Sequence, residues 1–206
     1  MYALVEDNSI TKVFPGPKGF EHNGNQYAPD IFYKWSKAEK EAIGLYEVTT
    51  DSTNYKDEKW YINTNESYTF SNGKVTRSWG TATAKAHADI LWTEQDKTDD
   101  KIPEGKDVGD VAVEGLKTIL IKTLKAQAAG ELKNTDWYVI RKADAGTAVP
   151  SSITTHRAAV RTKCAEMETA ITNAADTPAL ETLYTYTEQE DGSVTRPLGE
   201  LPTLEG

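Results

Sequence analysis

An α+β fold is predicted: a strand-rich N-terminal unit with hairpins, an acidic connector, then a C-terminal antiparallel helical hairpin with a short third helix and an extended tail. Three observations predict it. In the first fourteen residues two apolar-bearing runs, "YALV" and "ITKVF", flank the polar turn "EDNS", the layout of a β-hairpin. Asn72-Gly73 sits between two aromatic-rich runs, and both residues tolerate the positive φ that a tight hairpin turn demands. Leu116, Leu120 and Leu124 then repeat every four residues, which is the period of one helix face.

The expected N-terminal unit spans 1–85. Tyr2-Ala3-Leu4-Val5 and Ile10-Thr11-Lys12-Val13-Phe14 form its first hairpin, and "PGPKG" prevents the strand from continuing. Asp30 and Ser36 are candidate caps of two short helices, the second stopping at Gly44, where a residue of positive φ commonly ends a helix. "LYEVTT" reads as another strand. Around Asn72-Gly73, Tyr61, Tyr68 and Phe70 on one side and Val75 and Trp79 on the other are expected to make a cross-strand aromatic stripe.

Residues 86–112 change character. Eight acidic residues stand against three lysines, with Pro103, Gly105 and Gly109, so a solvated connector is expected. Asp96, Asp99 and Asp100 lack the alternate spacing and central glycine of an EF-hand calcium loop.

A helical domain is expected over 113–187. Its first helix ends near Leu132, with Val113, Ile119 and Leu132 widening the leucine face. A second helix begins at Ser151 or Ser152, either able to satisfy a first-turn N–H. Ile153, Val160, Cys164, Met167 and Ile171 make it a narrow apolar seam suited to antiparallel packing. Thr177-Pro178 opens a short third helix. Residues 188–206 are expected as an extended, proline-bearing tail with a hairpin turn at Asp191-Gly192.

Composition bounds the function. The 206 residues are 38% hydrophobic and 27% charged, with a mean hydropathy of -0.60. A chain so poor in aliphatic residues is expected to form several small cores, or to bury surface against a partner. A net charge of -9 argues against nucleic acid as a partner. Nothing in the sequence approaches the ~20 apolar residues that cross a bilayer. The start "MYALVEDNSI" is too polar for a signal peptide, so synthesis in a reducing cytoplasm is expected. The single Cys164 leaves no intrachain disulfide and no zinc ribbon.

No phosphate loop, dinucleotide fingerprint, nucleophile elbow or paired-histidine zinc helix occurs in the sequence. His22, His87 and His156 lie in three separate segments, a poor basis for a metal site. Cys164 and His156, eight residues apart on one predicted helix, would be ~12 Å apart, beyond nucleophile–base reach. No catalytic residue, cofactor or metal is therefore expected.

What remains is the stretch Thr135 to Lys163, which reads as a helix corner. Trp137 is expected to fold its ring into the crevice between the two long helices, so that Trp137→Ala would cost about 3 kcal/mol or more. Arg157 and Arg161, one turn apart, flank the seam formed with Val160. Either arginine is within reach of Asp136 or of the free carbonyls ending the first helix.

The same residues carry a resemblance. Thr135-Asp136-Trp137, then Pro150, then His156, Arg157, Val160 and Arg161 resemble the C-terminal segment of tailed-bacteriophage tail and tail-fibre-associated proteins. There a helix leads through a Thr-Asp-Trp turn and a proline-bearing loop to a helix of the form (Y/H)-R-x-x-(L/V)-R. "MYALVEDNSITKVFP" is similar to the β-rich starts of such proteins, and "VTRPLGELP" to virion-protein ends. The resemblance implies a noncatalytic tail, baseplate or fibre-attachment component, made in the host cytoplasm and located in the virion. Its implied partners are other virion proteins, and it would be oligomeric in the particle. The alternative is a tail-fibre assembly chaperone absent from the mature particle. Trp60, Trp79 and Trp92 are the candidate interface anchors, although tryptophans are more often core.

Overall fold

A computed structural model describes residues 1–204; the last two residues of the expected tail, 205 and 206, lie outside it. The fold is α+β, in two compact units, Met1–Thr83 and Ala84–Gly206.

In the first unit β1 (Tyr2–Glu6) and β2 (Ser9–Phe14) form the expected hairpin. Its loop residues Asp7 and Asn8 have φ of 48° and 61°, the paired positive values that match a turn to strand twist. Asn23-Gly24 (50°, 72°) turns a second, shorter hairpin of β3 (Phe20–His22) and β4 (Asn25–Tyr27). Two short helices follow, α1 (Ile31–Lys34) and α2 (Lys37–Ala42), then β5 (Leu45–Thr50) and β6 (Tyr61–Ile62). The last hairpin joins β7 (Ser67–Ser71) to β8 (Lys74–Ser78) through Asn72-Gly73 (51°, 69°). Strand β9 (Thr83–Ala84) lies at the border of the units.

Five strands form one sheet in the order β2-β1-β5-β8-β7, antiparallel except for the parallel β5–β8 pair. Alternation along β1 supplies two cores. Leu4 faces Phe14, Phe20, Ile31, Phe32 and Leu45, while Ala3 and Val5 face Val75, flanked by Tyr46, Val48 and Phe70. Ile10 and Val13 join the second core despite their odd spacing. A bulge makes this work: Leu4 pairs with Lys12 but Val5 with Ile10, leaving Thr11 over.

Ser36 caps α2 with a reciprocal Glu39 bond, and Gly44 (φ 78°) ends it. A Cβ there would lie 2.4 Å from the Val5 carbonyl oxygen, so the position requires glycine. Only part of the aromatic stripe forms. Phe70 pairs with Val75, but Tyr68 opposes Arg77, and Trp79 lies beyond β8 with Arg77 over its face at 4.4 Å.

The stretch expected as a solvated connector instead folds and belongs to the second unit. It contains β10 (Ile90–Leu91), α3 (Glu94–Thr98) and β11 (Val111–Val113), with β10 and β11 paired antiparallel. Thr93 and Asp96 form a reciprocal capping box that starts α3.

Beyond it run α4 (Leu116–Lys133), α5 (Asp136–Ala145), α6 (Ser151–Asn173) and α7 (Thr177–Tyr184). Helix α4 buries Leu116, Leu120, Leu124 and Ala128, and α6 buries Ile153, Val160, Met167 and Ile171. The two are antiparallel: Lys117 near the start of α4 donates to Thr172 O near the end of α6, at 2.8 Å. Lys125 pairs with Glu168 at 2.7 Å. Asp176 caps α7, its carboxylate accepting from the Ala179 N–H. The Thr177 hydroxyl donates to Lys85 O at 2.7 Å. A small hairpin of β12 (Thr187–Glu188) and β13 (Val194–Thr195) turns through Asp191-Gly192. The tail then returns to the helices, where Leu198 is 3% exposed and its N–H donates to Leu183 O.

Candidate functional site

The corner between α4 and α6 is built on Thr135, which is fully buried. Its N–H and its hydroxyl both donate to Leu132 O, at 3.0 and 2.9 Å, closing the last turn of α4. Asp136 then opens a new helix, where its negative charge suits the N-terminal dipole. Gly146, at φ 69°, ends α5. Pro150 precedes the first turn of α6, accepting from the Thr154 N–H at 3.0 Å.

Arg157 reaches back from α6 to this point. Its Nη1 lies 2.7 Å from Leu132 O, 2.6 Å from Thr135 Oγ1 and 2.9 Å from Asp136 Oδ1. The residue is 8% exposed, so the guanidinium replaces water for a carbonyl, a hydroxyl and a carboxylate at once. Val160, one turn on, is fully buried. Arg161 is exposed and takes no part in the clamp.

Trp137 contradicts the sequence expectation. Its ring is 56% exposed rather than folded into the crevice, because Thr135 and Arg157 already occupy the corner. As the second residue of α5 it projects outward, and Arg141, one turn later, lies over it at 4.7 Å and over Tyr138 at 5.5 Å. The Thr-Asp-Trp segment is thus a helix start, and the expected loop contains the helix α5. That helix buries none of its residues. Val139 and Ile140 are 43% and 66% exposed beside Trp137. The signals for it were Asp136 in the first turn, Lys142 in the last and Gly146 after it. No buried stripe accompanied them.

Two buried nitrogens near this region, His156 Nε2 and Arg141 Nε, have no hydrogen-bond partner. Burial pushes the Cys164 thiol up, with Glu168 adding to the effect, which suppresses the reactive thiolate.

Of the three tryptophans expected as anchors, Trp60 is core at 3% exposure. Trp79 and Trp92 are half-buried; Trp79 packs edge-on against Tyr55 at 4.8 Å. The apolar side chains that do reach solvent lie elsewhere. In the second unit Ile90 (51%), Leu91 (46%), Val111 (39%) and Val113 (57%) all emerge on the β10–β11 ribbon.

The first unit holds an open cleft of about 510 Å³, lined by Glu6, Asp7, His22, Asn23, Asn25 and Tyr27 among others. His22 Nδ1 lies 2.9 Å from Glu6 Oε1, and Nε2 lies 3.1 Å from Asn23 Nδ2. A neutral ring with its proton on Nδ1 satisfies both bonds. His87 and His156 belong to the other unit, and among the described residues no three His, Cys, Asp or Glu side chains are placed to hold a metal ion.

Comparison of the chain with protein-family models, curated proteins and solved structures finds no significant match.

Proposed function

We propose that this chain is a noncatalytic structural component of a tailed-phage virion, in the tail, baseplate or fibre attachment, acting through protein–protein contacts. One observation carries the reading. Helix α5 buries no residue and exposes Trp137, Val139 and Ile140, although isolated helices of this length are marginal in water. A ten-residue helix held out by a buried arginine clamp at its root is built to present a face. Large exposed aromatics on such a face are the side chains that dominate interface energies. The resemblance of Thr135-Asp136-Trp137 and His156-Arg157-x-x-Val160-Arg161 to phage tail and tail-fibre-associated proteins supplies the setting.

Quantitative mass spectrometry of purified particles tests it. A fixed copy number per particle is expected. A chain missing from particles yet required for fibre assembly is the assembly-chaperone alternative, and overturns the structural reading.

A further inference from the structure

Charge is segregated along the second unit. Between Asp89 and Asp110 eight acidic residues stand against three lysines, whereas between Lys133 and Lys163, leaving out the Arg157–Asp136 pair of the corner, five basic residues stand against one acidic one. Each segment contains one of the exposed apolar patches. The acidic segment contains β10 and flanks β11, whose Ile90, Leu91, Val111 and Val113 face solvent. The basic segment contains α5, with Trp137 and Ile140 exposed. Exposed charges lie next to each patch in the chain: Glu94, Asp107 and Asp110 beside the ribbon, and Lys133 just before α5 and Lys142 in its last turn.

We infer that the two patches are the halves of one interface, α5 of one copy docking on the β10–β11 ribbon of the next. This rests on the reading of the chain as a protein that works through protein contacts, and names the partner as a second copy. Charge complementarity selects that partner. A helix with an aromatic-aliphatic face and basic flanks meets an aliphatic ribbon with acidic flanks. The chain as a whole, at -9, repels itself, so contact between two copies needs a local match of opposite charges such as this one. The ribbon gains as well. Among the described residues its two strands form a sheet of their own, and a two-stranded ribbon is marginal until it packs against something.

The contact is heterologous, since the two patches are different surfaces. Each copy therefore offers one free patch at each end of a growing chain, and the product is a closed ring or an open filament rather than a two-fold dimer.

Sedimentation velocity on the purified full-length chain, from low to high micromolar concentration, reads the outcome. Wild type is expected to form species larger than dimers as concentration rises. Ile140→Glu and Val113→Glu, at sites 66% and 57% exposed, are each expected to sediment as monomers with unchanged melting curves. Mixed together, they are expected to form a dimer and nothing larger, because the mixture retains one intact α5 and one intact ribbon. A monomeric wild type, a single variant that still assembles, or a mixture that stays monomeric overturns the inference. If the wild type is monomeric but particles contain a fixed copy number, the self-docking falls and the structural role stands.

Discussion

Truncating Arg157 to alanine would leave Leu132 O, Thr135 Oγ1 and Asp136 without their shared donor in a buried corner. Leu132 O keeps both Thr135 donors and the Asp136 side chain is 50% exposed, so the cost is that of lost charge-assisted hydrogen bonds, about 1.5–3 kcal/mol, and a drop in thermal or denaturant midpoint is expected. Arg157→Lys should recover only part of it, since a lysine lacks the planar fork. Trp137→Ala gives the opposite result. With its ring exposed, its loss should change stability by no more than about 0.5 kcal/mol, while weakening whatever contact α5 makes. The contrast shows what the sequence could convey at this scale. The one-turn spacing of Arg157 and Arg161 marked both as candidate clamps for the carbonyls and carboxylate there, and the structure gives the role to Arg157. For Trp137 ring size argues for burial, whereas its side of the helix is decided by where Thr135 breaks the chain, which leaves the ring exposed.

At the scale of elements, turn and cap chemistry was legible where it is local. The Asn72-Gly73 hairpin, the Ser36 cap, Gly44 and the antiparallel α4–α6 pair all follow from short-range signals. The hairpin at Asn23-Gly24 was not read, because three-residue strands are too short to show alternation. The start of α4 depends on a long-range partner that no local pattern reveals. Asp89 accepts from the Gly115 N–H at 2.7 Å and from the Thr118 hydroxyl at 2.9 Å. These bonds, the Gly115 N–H foremost, hold its carboxyl below the ordinary aspartate value of 3.8. A depressed carboxylate contributes stability that is complete above its unfolded pKa and is lost as pH falls through the folded one. Asp89→Asn should therefore flatten the acid side of the stability profile below about pH 4, measured by denaturant unfolding across pH. A profile identical in shape to wild type would contradict the cap. At Gly115 itself a Cβ would lie 2.3 Å from Ala88 backbone atoms, so Gly115→Ala should displace the start of α4 and lower the melting temperature.

At the scale of the molecule, two units with separate cores account for a composition poor in aliphatic residues. The acidic stretch reads as linker because its charge masks Ile90, Leu91 and Val111, while Val113, expected on the face of the following helix, belongs to β11. Once paired, those residues become an exposed apolar ribbon. Such surfaces on a folded chain are candidate docking sites, and α5 is among the most exposed of them. A photo-crosslinking residue placed at Trp137, with a control at Tyr33, 77% exposed in the other unit, tests this most directly. Position 137 is expected to give a defined adduct with a partner protein or with a second copy of the chain, and Tyr33 none; under the proposed function that partner is a virion protein. No adduct at 137, or equal labelling at both positions, would contradict a docking role for α5.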